Sequence, residues 1–557
     1  MIDLDDDAAF PLDPWAIVPP EVQYEVTARL AGAVTQLNRH YAAPRDEATA
    51  RRFLIEMLPA GRLCLYGAGS MSARLLDWLV GIRPDVDIVA VLDRNAATFP
   101  HFHGLPVLAP ADWASIAFDR VLVAHPLHEQ DMAATLLAAG LPAKHILSLY
   151  DHPDFATAAL PAHRTRIASA LEEPVRHCII GCSHLSTVPD EVLSRLLPAA
   201  DTVLLYFSPY ERFRPSPVYP TIDLASSTVL LAEALQQLAP ELVVLRSTSH
   251  LGFLAGFIRS VLPDAVLVHD FYDFTNLLPA SLLHGWLAMS PAQVAISHLA
   301  EYQSLRTSDL LVSKRDGRWW DRMLAPSTKP YVSYFPGTVA ALEPHAGPSK
   351  RADAPWRLLY AGILLQPKSG EYAGDYNFLP LFETLAKSGR FEFELYNSAH
   401  IDAAQDPAFR DFLDRYPAAP MRYHRRVTYP ELHARSQDRH FGWLYREGGG
   451  EVSYDAATAI PARCLGYLNA GLPVILDDKW GYLEDLIVQH HAGIILPQGQ
   501  AQRLPEFLAA CDLERLRAGA ASLLRFCLDH NEAAVATIGQ QLRALKAARP
   551  MLKRNLR

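Results

Sequence analysis

At 557 residues and 61.7 kDa the chain is too long for one hydrophobic core, so three or four domains are expected. Half the residues are hydrophobic, a fifth are charged and the formal net charge is −10, which suits a folded soluble protein and gives no bulk attraction for nucleic acid. Six scattered cysteines form no disulfide framework, and no apolar run is long enough to cross a bilayer. The acidic opening MIDLDDDAAF lacks the basic-then-apolar pattern of a secretory signal, so a cytoplasmic location is expected.

Residues 1–60 read as a helical lead-in, with apolar spacing in EVQYEVTARLAGAVTQLNRHY and EATARRFLIEML. From 61 to 151 the pattern becomes strand, Gly-rich turn and helix (RLCLYGAGSMSARLLDWLVG). The strand DIVAVLD, RVLVAHP with its helix, and HILSLYD then complete a small Rossmann-like module. A second α/β block, 152–342, carries the strands CIIGC, TVLLYF, ELVVLRS, AVLVHDF and DLLVSK. Cys178 and Cys182 lie on or beside the first of these with no second Cys/His pair, which favours buried thiols over a zinc site. Residues 343–355 are Pro- and charge-rich without periodicity and read as a linker. A third α/β block, 356–557, runs through WRLLYAGIL, FEFELYNS, MRYHRR, HFGWLY, LPVILDD and AGIILP and ends in helix. No repeat of solenoid period is present. The fold class is therefore α/β, with two large Rossmann-like domains in tandem behind a small one, and ligands are expected at the carboxyl ends of their strands.

The stretch AIPARCLGYLNAGLPVILDD concentrates the chemistry of the third block. Pro461 suits a first helical turn, Gly471 and Pro473 stop the helix, and Val474, Ile475 and Leu476 form a doubly buried strand. The helix start would face the strand ends, where free N–H groups and the helix dipole can seat a diphosphate, with Arg463 adding a bidentate contact. An ordinary helix–Gly–Pro–strand corner is the competing reading.

This stretch together with GYLEDLIVQHHAGIIL resembles the carboxyl-domain signature of GT-B glycosyltransferases of the large group-1 (family 4) type. LLYAGILLQPKSG is similar to the first strand and loop of that domain. LAPELVVLRSTSHLGFLAGFIRSVLPDAVLVHDFYDF and SDLLVSKRDGRWWDRML…YVSYFPG resemble its partner domain, and the likeness covers about residues 175–500. It implies two Rossmann-like domains facing a cleft, a UDP- or GDP-sugar donor, and a glycan, lipid-linked or protein acceptor. Peripheral contact with the inner membrane face and retention of anomeric configuration are further family expectations. In the donor site the resemblance assigns Gly362, Lys368 and Arg463. The sequence departs from the family at Gly466 and Thr458, where acids usually stand, and at Ile363, where an Arg is usual. Candidate replacements are Arg446, Glu447 and Glu451 in the Gly-rich stretch LYREGGGEVSYD, which also reads as a plain surface loop.

With no Asp-x-Asp site, no metal is expected, and cations plus a helix N-terminus would stabilise the leaving diphosphate. His250, His269 and Asp270, with Asp273 nearby, end strands of the second block, and one of them could polarise or deprotonate an acceptor hydroxyl or simply shape a loop. In the small module, Gly67 and Gly69 with Asp93 at the end of the second strand give a partial dinucleotide motif, Ser72 standing at its third glycine. The module resembles small Rossmann-like domains found beside surface-polysaccharide enzymes. It would hold NAD(P) or a nucleotide, or be a scaffold. Three functions stay open: a glycosyltransferase, a silent nucleotide-sugar-binding protein, and an oxidoreductase led by residues 61–150. The oligomeric state is not legible.

Overall fold

The computed structural model describes residues 41, 44–45, 47–97, 100–125, 129–171, 175–182, 191–208, 213, 215–247, 249–272, 274, 291–317, 329–337, 354–362, 364, 379–397, 420–425, 427, 429–445 and 457–555. Short runs of branched apolar residues, buried on both faces, become the central strands of three sheets that follow one another along the chain. The small lobe contains β1 (Gly61–Tyr66), β2 (Val86–Leu92), β3 (His101–Phe102), β4 (Leu105–Leu108), β5 (Arg120–Val123) and β6 (Ile146–Ser148). Their order is β3-β4-β2-β1-β5-β6, parallel except for the β3–β4 hairpin. That hairpin occupies HFHGLPVL, whose second part the sequence presents only as a connector. Helices α1 (Glu47–Met57), α2 (Ser70–Leu79) and α3 (Glu129–Ala138) belong to this lobe.

Helix α4 (Pro153–Ala170) leads onward, started by Pro153 and by the His152 ring, which accepts the Asp154 N–H at 3.3 Å. Its first turns put Phe155 and Ala159 into the small lobe's core, and its last put Ile167 into the core of the middle lobe. One helix thus serves two cores. The middle lobe is an all-parallel sheet of β7 (His177–Gly181), β8 (Thr202–Tyr206), β9 (Thr221–Asp223), β10 (Leu242–Ser247), β11 (Val266–Phe271), β12 (Leu310–Ser313) and β13 (Tyr331–Ser333), in the order β13-β12-β11-β10-β7-β8-β9. Helices α5 (Glu191–Leu196), α6 (Thr228–Leu238), α7 (Leu254–Val261) and α8 (Pro291–Thr307) accompany it.

The C-terminal lobe is again parallel: β14 (Trp356–Gly362), β15 (Phe391–Asn397), β16 (Met421–Arg425), β17 (Phe441–Trp443), β18 (Val474–Asp477) and β19 (Gly493–Leu496), in the order β16-β15-β14-β17-β18-β19. Its helices are α9 (Leu379–Lys387), α10 (Tyr429–Ser436), α11 (Ala462–Asn469), α12 (Tyr482–His490), α13 (Leu504–Ala510) and α14 (Leu513–Asn555). At 43 residues α14 is about 65 Å long. Ala520, Leu523, Leu524 and Cys527 pack into the C-terminal lobe, whereas Ala534, Ile538 and Leu542 pack into the middle one. Cys178 and Cys182 are fully buried free thiols. Among the described residues no helix is long and apolar enough to cross a membrane.

Candidate functional site

In an open parallel sheet the crevice forms where strand order reverses. In the C-terminal lobe that point lies between β14 and β17, because β15 and β16 extend the sheet one way and β18 and β19 the other. The two strands pair at Leu358–Phe441 and Leu359–Gly442. Further along, the Tyr467 hydroxyl stands between them, accepting the Ala361 N–H at 2.8 Å and donating to the Trp443 carbonyl at 3.3 Å. The Tyr467 ring lies so close to Gly442 that a Cβ there would meet it at 2.3 Å.

Tyr467 rides on α11, whose N-cap is Pro461 in extended conformation, one residue earlier than the first-turn position expected from sequence. One turn before Tyr467, Arg463 reaches over the end of β14. Its Nη1 donates to the Tyr360 hydroxyl at 3.3 Å, and its guanidinium carbon lies 5.7 Å from the Tyr360 ring and 6.0 Å from the Trp480 ring. Gly362 leaves room for this approach: a Cβ there would be 2.8 Å from the Tyr360 hydroxyl and 3.0 Å from Arg463 Nη1. The structure therefore brings together two of the residues singled out in the sequence, Gly362 and Arg463. Arg463 is half-buried, with the Tyr360 and Trp480 rings beside its guanidinium. A cation so placed beside a helix N-terminus suits a diphosphate.

Neighbouring loops are fixed by buried polar groups. Asn397, at the end of β15, accepts the Leu364 N–H at 3.0 Å and donates to the Leu364 carbonyl at 3.2 Å, which holds the chain leaving β14. Asp477, at the end of β18, accepts from Trp480 Nε1 at 3.2 Å and from the Lys479 N–H at 3.1 Å. Lys368, Arg446, Glu447 and Glu451 lie outside the described residues. Gly466 is buried within α11.

The carboxyl ends of the middle-lobe strands carry two polar clusters, one on each face of the sheet. His269 is fully buried, with each ring nitrogen against a serine hydroxyl, Ser247 on one side and Ser304 on the other, and the ring stacked on Phe271. Burial holds its pKa well below the usual histidine value. Asp270 is equally buried, and its carboxylate accepts from Arg246 Nε at 2.8 Å and from the Tyr334 hydroxyl at 3.0 Å. The two residues expected from the sequence near an acceptor hydroxyl thus stand at strand ends with protein partners. One ring is enclosed on both edges, and one carboxylate is already neutralised by a buried arginine. His250 lies in a short 3-10 turn, Ser249–Phe253, directly after β10. Asp273 is outside the described residues.

In the small lobe the Gly-rich turn exists as read, with Gly67 at φ +92°. Asp93, however, spends its carboxylate on the turn itself: Oδ2 accepts the Ala68 N–H at 2.6 Å and Oδ1 the Asn95 N–H at 2.8 Å. Ser72 closes the turn from below through the Gly67 carbonyl, and the Met132 methyl comes within 3.2 Å of where a Gly67 Cβ would be. Gly69 begins α2 with no atom crowding it. The acid expected on a cofactor ribose thus holds the loop's own backbone, an arrangement that the scaffold reading also accommodates. Tyr467, Tyr360 and Trp480 were missed in the sequence because an aromatic at helical or strand spacing reads as core.

No protein-family model matches the chain, and no curated protein matches it. Solved structures that resemble it include a sucrose-phosphate synthase from Thermosynechococcus elongatus, with TM-score 0.48 and 15% identity over 67% of this chain and 99% of that one. An α,α-trehalose 6-phosphate synthase from Burkholderia multivorans gives 0.45 at 12% identity, covering 68% and 99%. Anabaena HepE, solved with UDP and glucose, gives 0.45 at 12% identity, covering 67% and 100%.

Proposed function

We propose that the chain is a glycosyltransferase that takes a sugar from a UDP- or GDP-linked donor and passes it to a glycan, lipid-linked or protein acceptor. The observation that carries this reading is the placement of Arg463 and the α11 N-terminus over Gly362, at the strand-order reversal of the C-terminal lobe. As the glycosidic bond breaks, negative charge gathers on the departing diphosphate. A guanidinium pre-set by Tyr360 and Trp480, with the first N–H groups of α11, meets that charge without reorganising. Lys368 would add a second cation, and a metal is not part of this scheme. Retention of configuration belongs to the proposal through the family resemblance. In the middle lobe His250 is also a candidate for contact with the acceptor hydroxyl.

A second reading, of a silent protein that binds nucleotide sugars without turnover, is favoured by one observation. The two positions where relatives carry acids are a glycine buried in α11 and a threonine whose hydroxyl accepts from Arg315. Calorimetry with UDP- and GDP-sugars tests the first step: Arg463→Ala should weaken binding by about tenfold or more, the loss of a charge-assisted contact. Unchanged affinity would remove the proposed seat. Donor hydrolysis by the wild type then separates the two readings, since binding without turnover supports the silent one.

A further inference from the structure

Just before α11 a short stretch of C-terminal-lobe backbone meets the middle lobe, and within α11 Asn469 also donates to the Gly337 carbonyl at 3.5 Å. Arg315, two residues past β12, forms an isolated antiparallel bridge with Ala459. Its neighbour Asp316 donates its N–H to the Thr458 carbonyl at 2.8 Å, and Arg315 Nη1 donates to the Thr458 hydroxyl at 3.4 Å. The guanidinium is fully buried, 5.3 Å from the Phe274 ring. From the opposite side the same stretch is gripped by its own lobe: Gly481, at φ +43°, approaches so closely that a Cβ would lie 2.6 Å from the Ala457 carbonyl oxygen. Ile460 is buried next in line, Pro461 caps α11, and Arg463 follows. From Ala459 to Arg463 the chain reaches at most about 14 Å.

A bridge made by backbone alone would not require a buried guanidinium, whose desolvation is costly. Its enclosure makes the side chain a fixed part of the junction, and the junction lies four residues before Arg463 in the chain. We propose that Arg315 is a positioning residue. Through Thr458, this middle-lobe side chain sets the angle at which α11 presents its N-terminus and Arg463 to a nucleoside diphosphate. Its consequence for nucleotide rests on the glycosyltransferase reading above, whereas the geometric coupling does not.

The test uses the full chain with Thr458→Val, Thr458→Ser and Arg315→Lys, followed by hydrogen–deuterium exchange of α11 and by calorimetry with UDP. Thr458→Val and Arg315→Lys should speed exchange in the first turn of α11 by about tenfold, while β1–β6 stay unchanged. Thr458→Ser, which restores the hydroxyl, should return it to within about twofold of the wild type. UDP affinity should fall about fivefold in Thr458→Val and recover in Thr458→Ser. Equal exchange in the Val and Ser variants, or no change in α11 for Thr458→Val and Arg315→Lys, overturns the proposal. If the exchange pattern appears but the wild type binds neither UDP nor GDP, the positioning role is upheld and the donor reading falls instead.

Discussion

Tyr467 shows how one side chain can hold open a crevice. Between β14 and β17 its hydroxyl replaces ladder hydrogen bonds with one bond to each strand, and its ring occupies the space that a side chain on Gly442 would take. Removing the hydroxyl deprives the half-buried Ala361 N–H and the buried Trp443 carbonyl of this partner. Tyr467→Phe should therefore cost about 1–3 kcal/mol in chemical denaturation, with a larger loss of nucleotide affinity than an equally destabilising core change elsewhere. Gly442→Ala overpacks the same spot, and a loss of about 1–3 kcal/mol is expected; a stability equal to that of the wild type would show that the ring can move aside.

At the scale of elements, the start of α3 is set by Glu129, which is fully buried. Its carboxylate accepts the N–H groups of Leu149, Tyr150 and Asp151 at 2.9–3.0 Å, tying α3 to the chain that leaves β6. Arg45 pairs with Asp151 at 3.1 Å and donates its own N–H to the Ala225 carbonyl, so this small-lobe corner also touches the middle lobe. Burial pushes the Glu129 pKa up to about 8, with the N–H donors and Arg45 opposing and the Asp151 charge reinforcing. A folded-state pKa above the unfolded value means that the fold binds this proton more tightly. Its contribution is therefore complete below about pH 4.5 and is lost as pH rises toward 8. Small-lobe stability, followed by exchange in β5 and β6, should decline across that window. Glu129→Gln, which cannot ionise, should flatten the decline across that window. An unchanged slope would assign the pH dependence to another group.

For the whole molecule, α14 is the element that makes one body of two lobes. Where it crosses, Asn531 accepts the Phe335 N–H at 2.8 Å and returns a bond to the Phe335 carbonyl at 2.9 Å, both buried, with His530 against Ser333 beside it. Asn531→Asp keeps the acceptor and loses the donor, and Asn531→Ala loses both. The thermal transitions of the two lobes should separate more in Asn531→Ala than in Asn531→Asp, and a single unshifted transition in calorimetry would show that apolar packing along α14 suffices to couple them. The same logic extends to Arg315 and Thr458, a second buried polar point at which the lobes meet.

The strand–helix alternation, the three successive sheets and the corner at Gly471–Pro473 were legible in the sequence, because each follows from local periodicity and from backbone restrictions at Gly and Pro. The nearness of Gly362 and Arg463 followed from strand order, since parallel α/β sheets gather their loops at one edge. What sequence could not supply was the direction and enclosure of each polar side chain. His269 and Asp270 stand at strand ends as anticipated, yet the serine hydroxyls and Arg246 that enclose them come from elsewhere in the chain. Asp93 bonds back to its own turn. Tyr467 and Arg315 gain their roles only when distant segments meet. Periodicity is a property of neighbours along the chain, whereas desolvation and hydrogen-bond partnership are properties of neighbours in space, and only the tertiary structure decided those.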